Sequence, residues 1–156
     1  MKLCLIVVGE TDDVDLKVAI DRYLKRLTHY CTFEMQVLNT PKQFKKLRQN
    51  ELKTAEGRLI LGSIKSDDLL VVLDEKGKHL SSPEFSEQLQ KWLNGGYKRI
   101  VFLIGGAFGF SDEVYDRANF KLALSSMTLT HQMVRLFFSE QLYRAFTILR
   151  NEKYHH

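Results

Sequence analysis

Short and nearly uninterrupted apolar runs place the tightest constraint on what this chain can fold into. Residues 69–73 read LLVVL, residues 100–104 read IVFLI, and the opening run Lys2–Val8 is almost as apolar. Runs of this length and composition are typical of central strands in a parallel sheet that is covered on both faces. The rest of the chain must therefore supply helices that cover such a sheet.

Helix-like segments alternate with the strand-like runs from end to end. Residues 14–30 are amphipathic, and Val14 and Val18 are among the apolar positions. The predicted elements are, in order, strand 2–8, helix 14–30, strand 33–38, helix 42–64, strand 69–73, helix 82–94, strand 100–104, a short helix capped by Ser111, strand 120–124 and a long helix from Thr130. The sequence thus predicts a single α/β domain, residues 1–156, with a mainly parallel sheet.

Three segments at strand ends are candidate binding loops, because ligands of parallel α/β sheets bind beyond the carboxyl ends of the strands. They are residues 73–77, 105–109 and 124–130, all rich in small or polar residues. Gly105, Gly106 and Gly109 indicate that some group approaches the backbone closely. A ligand and tight helix–strand packing are the two interpretations that the residues leave open.

A nucleotide phosphate is not favoured as that ligand. The first strand-to-helix turn carries one glycine and three acidic residues, Glu10, Asp12 and Asp13, where a dinucleotide fold needs GxGxxG. No P-loop pattern is present, and neither cysteine has metal-type spacing. The apolar opening is too short for a signal or a membrane span, so we expect a cytoplasmic protein that uses no membrane and no metal.

Positive charge is concentrated in one part of the chain. Residues 14–65 hold eleven Lys and Arg against five Asp and Glu, a net charge of +6, whereas the whole chain carries +4. A basic region of this kind fits a polyanionic partner. A solvated helix surface explains the same charges and remains the alternative.

The last helix carries the most polar residues of functional type. At 100° per residue, one polar arc contains Gln132, Arg135, Ser139, Tyr143 and Arg150. Leu136 and Phe146 fall on or beside this arc, which indicates either a subunit contact or a solvated face with two stray apolar residues. Glu140 and Arg144 stand four residues apart and can pair on the helix surface.

Four stretches together resemble one known family. They are VVLDEKGKHLSS, FLIGGAFGFSDEV, LALSSMTLTHQMVRLFFSEQLYRAF and the terminal YHH, and the resemblance covers the whole chain in order. The family is the RlmH group of SPOUT methyltransferases, which methylate N3 of a pseudouridine in 23S ribosomal RNA. The resemblance implies a C-terminal trefoil knot, S-adenosylmethionine as cofactor, a homodimer, and the assembled ribosome as partner.

The resemblance also implies roles for individual residues. The cofactor-binding positions are Leu73, Gly105, Leu124, Ser125, Ser126, Met127, Thr128 and Leu129. As a hypothesis for the mechanism, we expect Glu140 and Arg144 to orient the base and its phosphate, and Tyr154 and His155 to close over the nucleotide, with His155 as the candidate proton acceptor. We expect His131 to have a structural role at the cofactor loop, and Arg135 and the basic region 14–65 to hold RNA phosphates.

This chain departs from the family at two places. Thr130 stands where many relatives have proline, and Ala107-Phe108 is bulky for a variable position. Two other functions remain open: a knotted RNA-binding protein without catalysis, and a SPOUT methyltransferase that modifies transfer RNA. The intact cofactor loop argues against the first, and the absence of an RNA-binding extension argues against the second.

Overall fold

A five-stranded parallel sheet forms the centre of the computed structural model, which describes residues 1–156. Its strands are β1 (Lys2–Val8), β2 (Thr32–Leu38), β3 (Asp68–His79), β4 (Arg99–Ile104) and β5 (Phe120–Ala123), in the order β2-β1-β4-β3-β5. The helices are α1 (Val14–Leu27), α2 (Gln49–Gly62), α3 (Ser82–Leu93), α4 (Asp112–Arg117) and α5 (His131–Leu149). The predicted alternation of strands and helices and the α/β class are confirmed.

Helices cover both faces of this sheet, which explains why residues 69–73 and 100–104 are apolar at every position. Leu69, Val71 and Phe102 point to the face that carries α1, α3 and α5. Leu70 and Val72 point to the opposite face, where α2 and α4 pack. Alternate residues of these runs therefore enter two separate cores.

The predicted helix over residues 42–64 is wrong as a single element. A short 3-10 helix spans Lys42–Lys46, and Leu47 then takes an extended conformation before α2 begins. The backbone N–H of Arg48 donates to Glu51 Oε2 at 3.1 Å. A carboxylate that turns back to the residue before a helix marks a helix start, so Glu51 fixes where α2 begins.

Strand β3 is longer than the predicted strand 69–73, because it also includes the candidate loop 73–77 and ends at His79. Its pairing with β5 shifts register between Leu73 and Lys78. A Cβ on Gly77 would lie 2.6 Å from the carbonyl carbon of Lys121, so only glycine lets the two backbones cross this closely. The first candidate loop is thus an irregular length of strand.

Helix α5 packs between α1 and α3 and is more deeply buried than an amphipathic surface helix. Arg135 and Ser139, predicted for an exposed polar arc, are buried, and so is Phe146. The exposed apolar residues of α5 are Met133 and Phe137, instead of the predicted Leu136 and Phe146. The prediction differs because it assumed that one side of α5 is covered, whereas α1 and α3 cover two sides of this helix.

Helix α1 also departs from its predicted packing. Val14 and Val18, counted among the apolar positions of this helix, lie exposed, while Ile20 and Leu27 are buried. None of the helices has the combination of length and apolar character that crossing a membrane requires.

Candidate functional site

A cleft of about 600 Å³ opens beside the second half of β3 and beyond the ends of β4 and β5. The three predicted segments meet there because the strands are parallel neighbours. Seven of the eight predicted cofactor positions line the cleft: Leu73, Gly105, Leu124, Ser125, Met127, Thr128 and Leu129. Ser126 lies in the same loop, is exposed, and is not part of the lining.

The protein's own packing and backbone account for glycine at positions 105 and 109 of the second segment. A Cβ on Gly105 would lie 2.8 Å from the ring of Phe110, and one on Gly106 would lie 3.0 Å from the Glu56 carboxylate. Gly109 has φ +81° and its N–H donates to the Gly106 carbonyl at 3.3 Å, which closes a tight turn. Gly105 fits both interpretations, ligand contact and tight packing, because it lines the cleft and also lies against Phe110.

Acidic side chains stand along one wall of the cleft. Asp74 and Glu75 follow directly after the buried half of β3, and Asp112 adds a third carboxylate. The Tyr115 hydroxyl donates to Asp74 Oδ2, and the Thr128 hydroxyl donates to Glu75 Oε2 at 3.2 Å. Burial, together with the bond to Asp74, raises the pKa of Tyr115, so this hydroxyl keeps its proton.

Sequence reasoning assigned no role to Asp74, Glu75 or Tyr115, although the two carboxylates fall within the candidate segment 73–77. Asp74 and Glu75 had a usable signal, because they follow an apolar run at a strand end, but Tyr115 lies 41 residues further along the chain. No local sequence pattern indicates a hydrogen bond between residues that are so far apart in the chain. Asp74 and Tyr115 therefore join the candidate site only through the fold.

Helix α2 forms part of the mouth of the cleft through Gln49 and Lys53. Glu56, one turn after Lys53, lies against Gly106, and its burial raises the pKa of its carboxyl group. Part of the basic region of the chain thus lies directly beside the binding cleft.

The start of α5 closes another side of the cleft. The Thr130 hydroxyl accepts the N–H of Met133 at 3.1 Å and caps the helix. His131 lines the cleft, and its pKa is lowered, first by burial and then by the nearby charge of Arg135. Gln132 holds the β1–α1 loop, since its side chain accepts the Asp12 N–H at 3.2 Å and donates to the Glu10 carbonyl at 3.0 Å.

Arg135 does not bind RNA phosphates, and that prediction is wrong. Its relative exposure is 0%, and its guanidinium donates to the Val8 carbonyl at 2.8 Å and to the Thr11 hydroxyl at 3.0 Å. Burial lowers the pKa of Arg135 from the usual arginine value. The side chain ties α5 to the end of β1, a structural role behind the cleft.

The four predicted catalytic residues form one cluster at the other end of α5. Arg144 donates to Glu140 Oε1 through Nε at 3.0 Å and Nη2 at 2.6 Å. The Tyr154 hydroxyl donates to the same oxygen at 3.0 Å, and the Arg144 guanidinium lies over the Tyr154 ring at 4.8 Å. Arg144 Nη1 also lies 3.2 Å from His155 Nδ1. We call these four residues the tail cluster.

Aromatic packing fixes the chain end that carries this cluster. The Tyr154 ring meets the Tyr143 ring edge-on, with ring centres 4.8 Å apart. The Tyr30 hydroxyl donates to Glu152 Oε2 at 2.6 Å, and the Arg150 guanidinium lies over the Tyr30 ring at 4.8 Å. The last residues are therefore docked on α1 and α5 of the same chain.

The cleft and the tail cluster do not meet within one copy of the protein. Val134 is the last residue of α5 that lines the cleft, and Glu140 is the first that belongs to the cluster. Six residues at 1.5 Å each separate them by about 9 Å along the helix axis, and none of the four cluster residues lines the cleft. The predicted cofactor residues and the predicted catalytic residues thus occupy two places on the molecule.

Comparison with known proteins assigns this arrangement to a family. The family model described as "Predicted SPOUT methyltransferase" matches residues 1–155. The chain belongs to the SPOUT methyltransferase family.

Individual SPOUT methyltransferases match over the full length of the chain. Proteins named "Ribosomal RNA large subunit methyltransferase H" are 53% identical in Christiangramia forsetii and 52% identical in Flavobacterium psychrophilum, each alignment covering 100% of this chain and 99% of the relative. The protein of that name from Cytophaga hutchinsonii is 51% identical, with 100% of both chains covered. The resemblance to the RlmH group is confirmed.

Proposed function

We propose that this SPOUT methyltransferase transfers a methyl group from S-adenosylmethionine to N3 of a pseudouridine in 23S ribosomal RNA on the assembled ribosome. The full-length similarity to the large-subunit methyltransferases carries the proposal. The cleft at the strand ends supplies a place for the methyl donor. A ribosomal substrate also implies that the protein works in the cytoplasm.

The chemistry of the cleft fits S-adenosylmethionine. Leu73, Leu124 and Leu129 provide apolar surface for a flat ring, and Gly105 and Gly106 expose bare backbone. The carboxylates of Asp74 and Glu75 favour a ligand that carries positive charge. When bound, S-adenosylmethionine supplies an electrophilic methyl group on a sulfonium centre.

In the proposed homodimer, two copies of the chain complete the site. No residue of the tail cluster lines the cleft of its own copy, so we expect the cluster of a second copy to supply the catalytic groups. Apolar residues suited to such a contact are exposed on the two helices that start beside each other: Val14 and Val18 on α1, and Met133 and Phe137 on α5. The proposed homodimer buries these four side chains.

The tail cluster has the groups that the reaction requires. Replacing the N3 hydrogen by a methyl group releases one proton, and His155 is the proposed acceptor. Arginine only donates hydrogen bonds, so His155 Nδ1 carries its lone pair toward Arg144 in the structure described here. Arg144 must therefore turn toward the RNA before Nδ1 is free to take the proton. Glu140 holds Arg144 and Tyr154 in place until then.

RNA phosphates are proposed to lie along the basic segment that leads to the cleft. Exposed cationic side chains are present at Lys42, Lys45, Lys46 and Arg48, and Lys53 stands at the mouth itself. Each phosphate contact releases counterions, so methylation should weaken steeply as salt is raised.

The experiment combines calorimetric titration of S-adenosylmethionine with methyl transfer to ribosomes from a strain that lacks this methylation. We expect binding in the cleft and transfer of one methyl group per large subunit. Transfer to transfer RNA instead of ribosomes would support the alternative SPOUT activity. Binding without transfer to either RNA would support a non-catalytic RNA-binding protein.

Mixed dimers test whether the site is shared between subunits. Thr128→Trp fills the cofactor loop of one copy, and Arg144→Ala removes the tail cluster of the other. Each variant alone should be inactive, whereas the mixture should regain activity because one of the two sites in a mixed dimer keeps both halves. A mixture as inactive as its components would contradict the shared site.

A further inference from the structure

The turn that follows β4 presents an aromatic ring to solvent at the mouth of the cleft. Phe108 is 50% exposed and lines the cleft, and Met127, from the loop after β5, is 80% exposed and lines it too. Exposed phenylalanine at the rim of a binding cleft indicates a contact with a ligand or a partner. The packing of the protein itself leaves this ring uncovered.

The turn holds Phe108 in a fixed position. Gly109 donates to the Gly106 carbonyl across the turn, and the Glu56 carboxylate lies against Gly106 from behind. Phe110, on the far side of the turn, is buried in the core between the sheet and α2. The backbone that carries Phe108 is therefore already ordered before a partner binds, which lowers the entropy cost of using this turn as a recognition surface.

The position of the turn separates it from the proposed subunit contact. Gly106 and Phe110 pack toward α2, on one face of the sheet. The exposed apolar residues assigned to the homodimer lie on α1 and α5, which cover the opposite face. Phe108 is therefore not one of the side chains that the proposed homodimer buries, although the second copy's tail cluster reaches the same cleft.

Two lysines beside the turn offer contacts for an RNA phosphate, next to the carboxylates that favour the cationic methyl donor. Lys53 and Lys76 line the same cleft as Phe108 and Met127. A nucleotide taken out of its helix offers a flat ring for an aromatic side chain and a phosphate for a cation, and enzymes that act on a base must first expose it in this way. The cleft mouth has one group for each part of such a nucleotide.

We infer that Phe108 is the stacking platform for the target base, with Met127 as a second apolar contact and Lys53 facing the adjoining phosphate. The inference rests on the proposed function and adds a substrate-binding residue to it. A ring face, rather than apolar bulk alone, is the property that position 108 supplies.

The experiment compares Phe108→Ala, Phe108→Leu and Phe108→Tyr in steady-state methylation of ribosomes that lack the methyl group. We expect Phe108→Ala and Phe108→Leu to lower kcat/KM for ribosomes by about 10-fold or more, the effect typical of losing one base–aromatic stack. Phe108→Tyr should retain the parent value, because tyrosine also has a ring face. Tyr97→Ala is the matched control, since Tyr97 is an exposed aromatic residue outside the cleft.

Two further measurements distinguish base stacking by Phe108 from a role in cofactor binding or in the subunit contact. Calorimetric binding of S-adenosylmethionine should be the same in all four variants, and so should the molecular mass in solution. A loss of cofactor affinity, a shift to monomers, or parent-like activity in Phe108→Ala would each overturn the inference while the proposed function stands. A parent protein that methylates no ribosome would overturn the proposed function and this inference with it.

Discussion

The two ends of helix α5 use similar residue types in opposite ways. At the start, Arg135 is fully buried and its bonds reach a backbone carbonyl and a threonine hydroxyl of the β1–α1 segment. Toward the end, Arg144 is partly exposed and its partners are the side chains of Glu140 and His155. Bonds to backbone hold a fold together, whereas side chains that bond one another at the surface can exchange those partners for a substrate.

The largest expected difference between the two ends is in catalysis. Arg144→Ala should lower methyl transfer by about 100-fold or more, because it removes the group that orients the base and positions His155. Radiolabelled methyl incorporation into ribosomes measures the effect, and binding of S-adenosylmethionine should not change.

Arg150→Ala is the matched control for this change. Arg150 lies at the same end of α5 and contacts Tyr30, outside the tail cluster. Equal activity losses in the two variants would mean that the helix end acts only by packing, and the catalytic role of Arg144 would be wrong.

For the free energy of unfolding, we expect the larger effect at the start of α5 and the smaller effect toward its end. Arg135→Ala leaves a cavity and removes two hydrogen bonds from a buried cation, and it should lower the free energy of unfolding by about 3 kcal/mol. Arg144→Ala should cost less than about 1 kcal/mol, because its ion pair with Glu140 is partly exposed. Urea denaturation of both variants measures the two values, and similar losses would remove the distinction between the helix ends.

A smaller change tests how α5 begins. Thr130→Ala should lower the free energy of unfolding by about 1 kcal/mol, since it deletes the hydroxyl that accepts the Met133 N–H. The separate variant Thr130→Ser should keep the parent stability, because serine also carries a capping hydroxyl. Ser111→Ala is the comparison at α4, where the serine hydroxyl has no hydrogen-bond partner, and a loss as large as that of Thr130→Ala would count against capping as the cause.

The smallest effect concerns pH. The folded-state pKa of His131 is lowered by burial and by Arg135, although Asp12 opposes the shift. Below about pH 6.5 the unfolded chain therefore binds more protons at His131 than the folded chain does. The contribution of neutral His131 to the free energy of unfolding is fully present above about pH 6.5, and it is lost as the pH falls through the folded-state pKa. His131→Gln should flatten this part of the stability curve, and an unchanged slope would show that another group titrates.

Local pattern was sufficient to find the five strands and the position of the cleft, although β3 continues to His79 through the segment predicted as the first loop. Residues 2–8 were predicted with the observed bounds, because a continuous apolar run has one physical explanation in a covered parallel sheet. The candidate loops followed from strand direction alone. The resemblance then supplied the tail cluster, whose residues the structure brings within hydrogen-bonding distance of one another.

Long-range contacts decided the features that the sequence did not predict. Helical periodicity placed Arg135 on an open face, but α1 and α3 cover that helix on both sides. The bond between Tyr115 and Asp74 and the crossing of Gly77 over β5 also depend on how distant segments meet. The trefoil knot, implied by the resemblance, stays a prediction.

The unbroken length of α5 limits how this family can vary. The helix has 19 residues; its first turn lines the cleft, and the docked tail follows its end. One inserted or deleted residue would rotate everything beyond it by about 100° and move it by about 1.5 Å, so the tail cluster would no longer face its present neighbours. Substitutions are therefore tolerated within α5 more easily than changes of length. Relatives with only about half of their residues in common with this chain still align over 99% or 100% of their length.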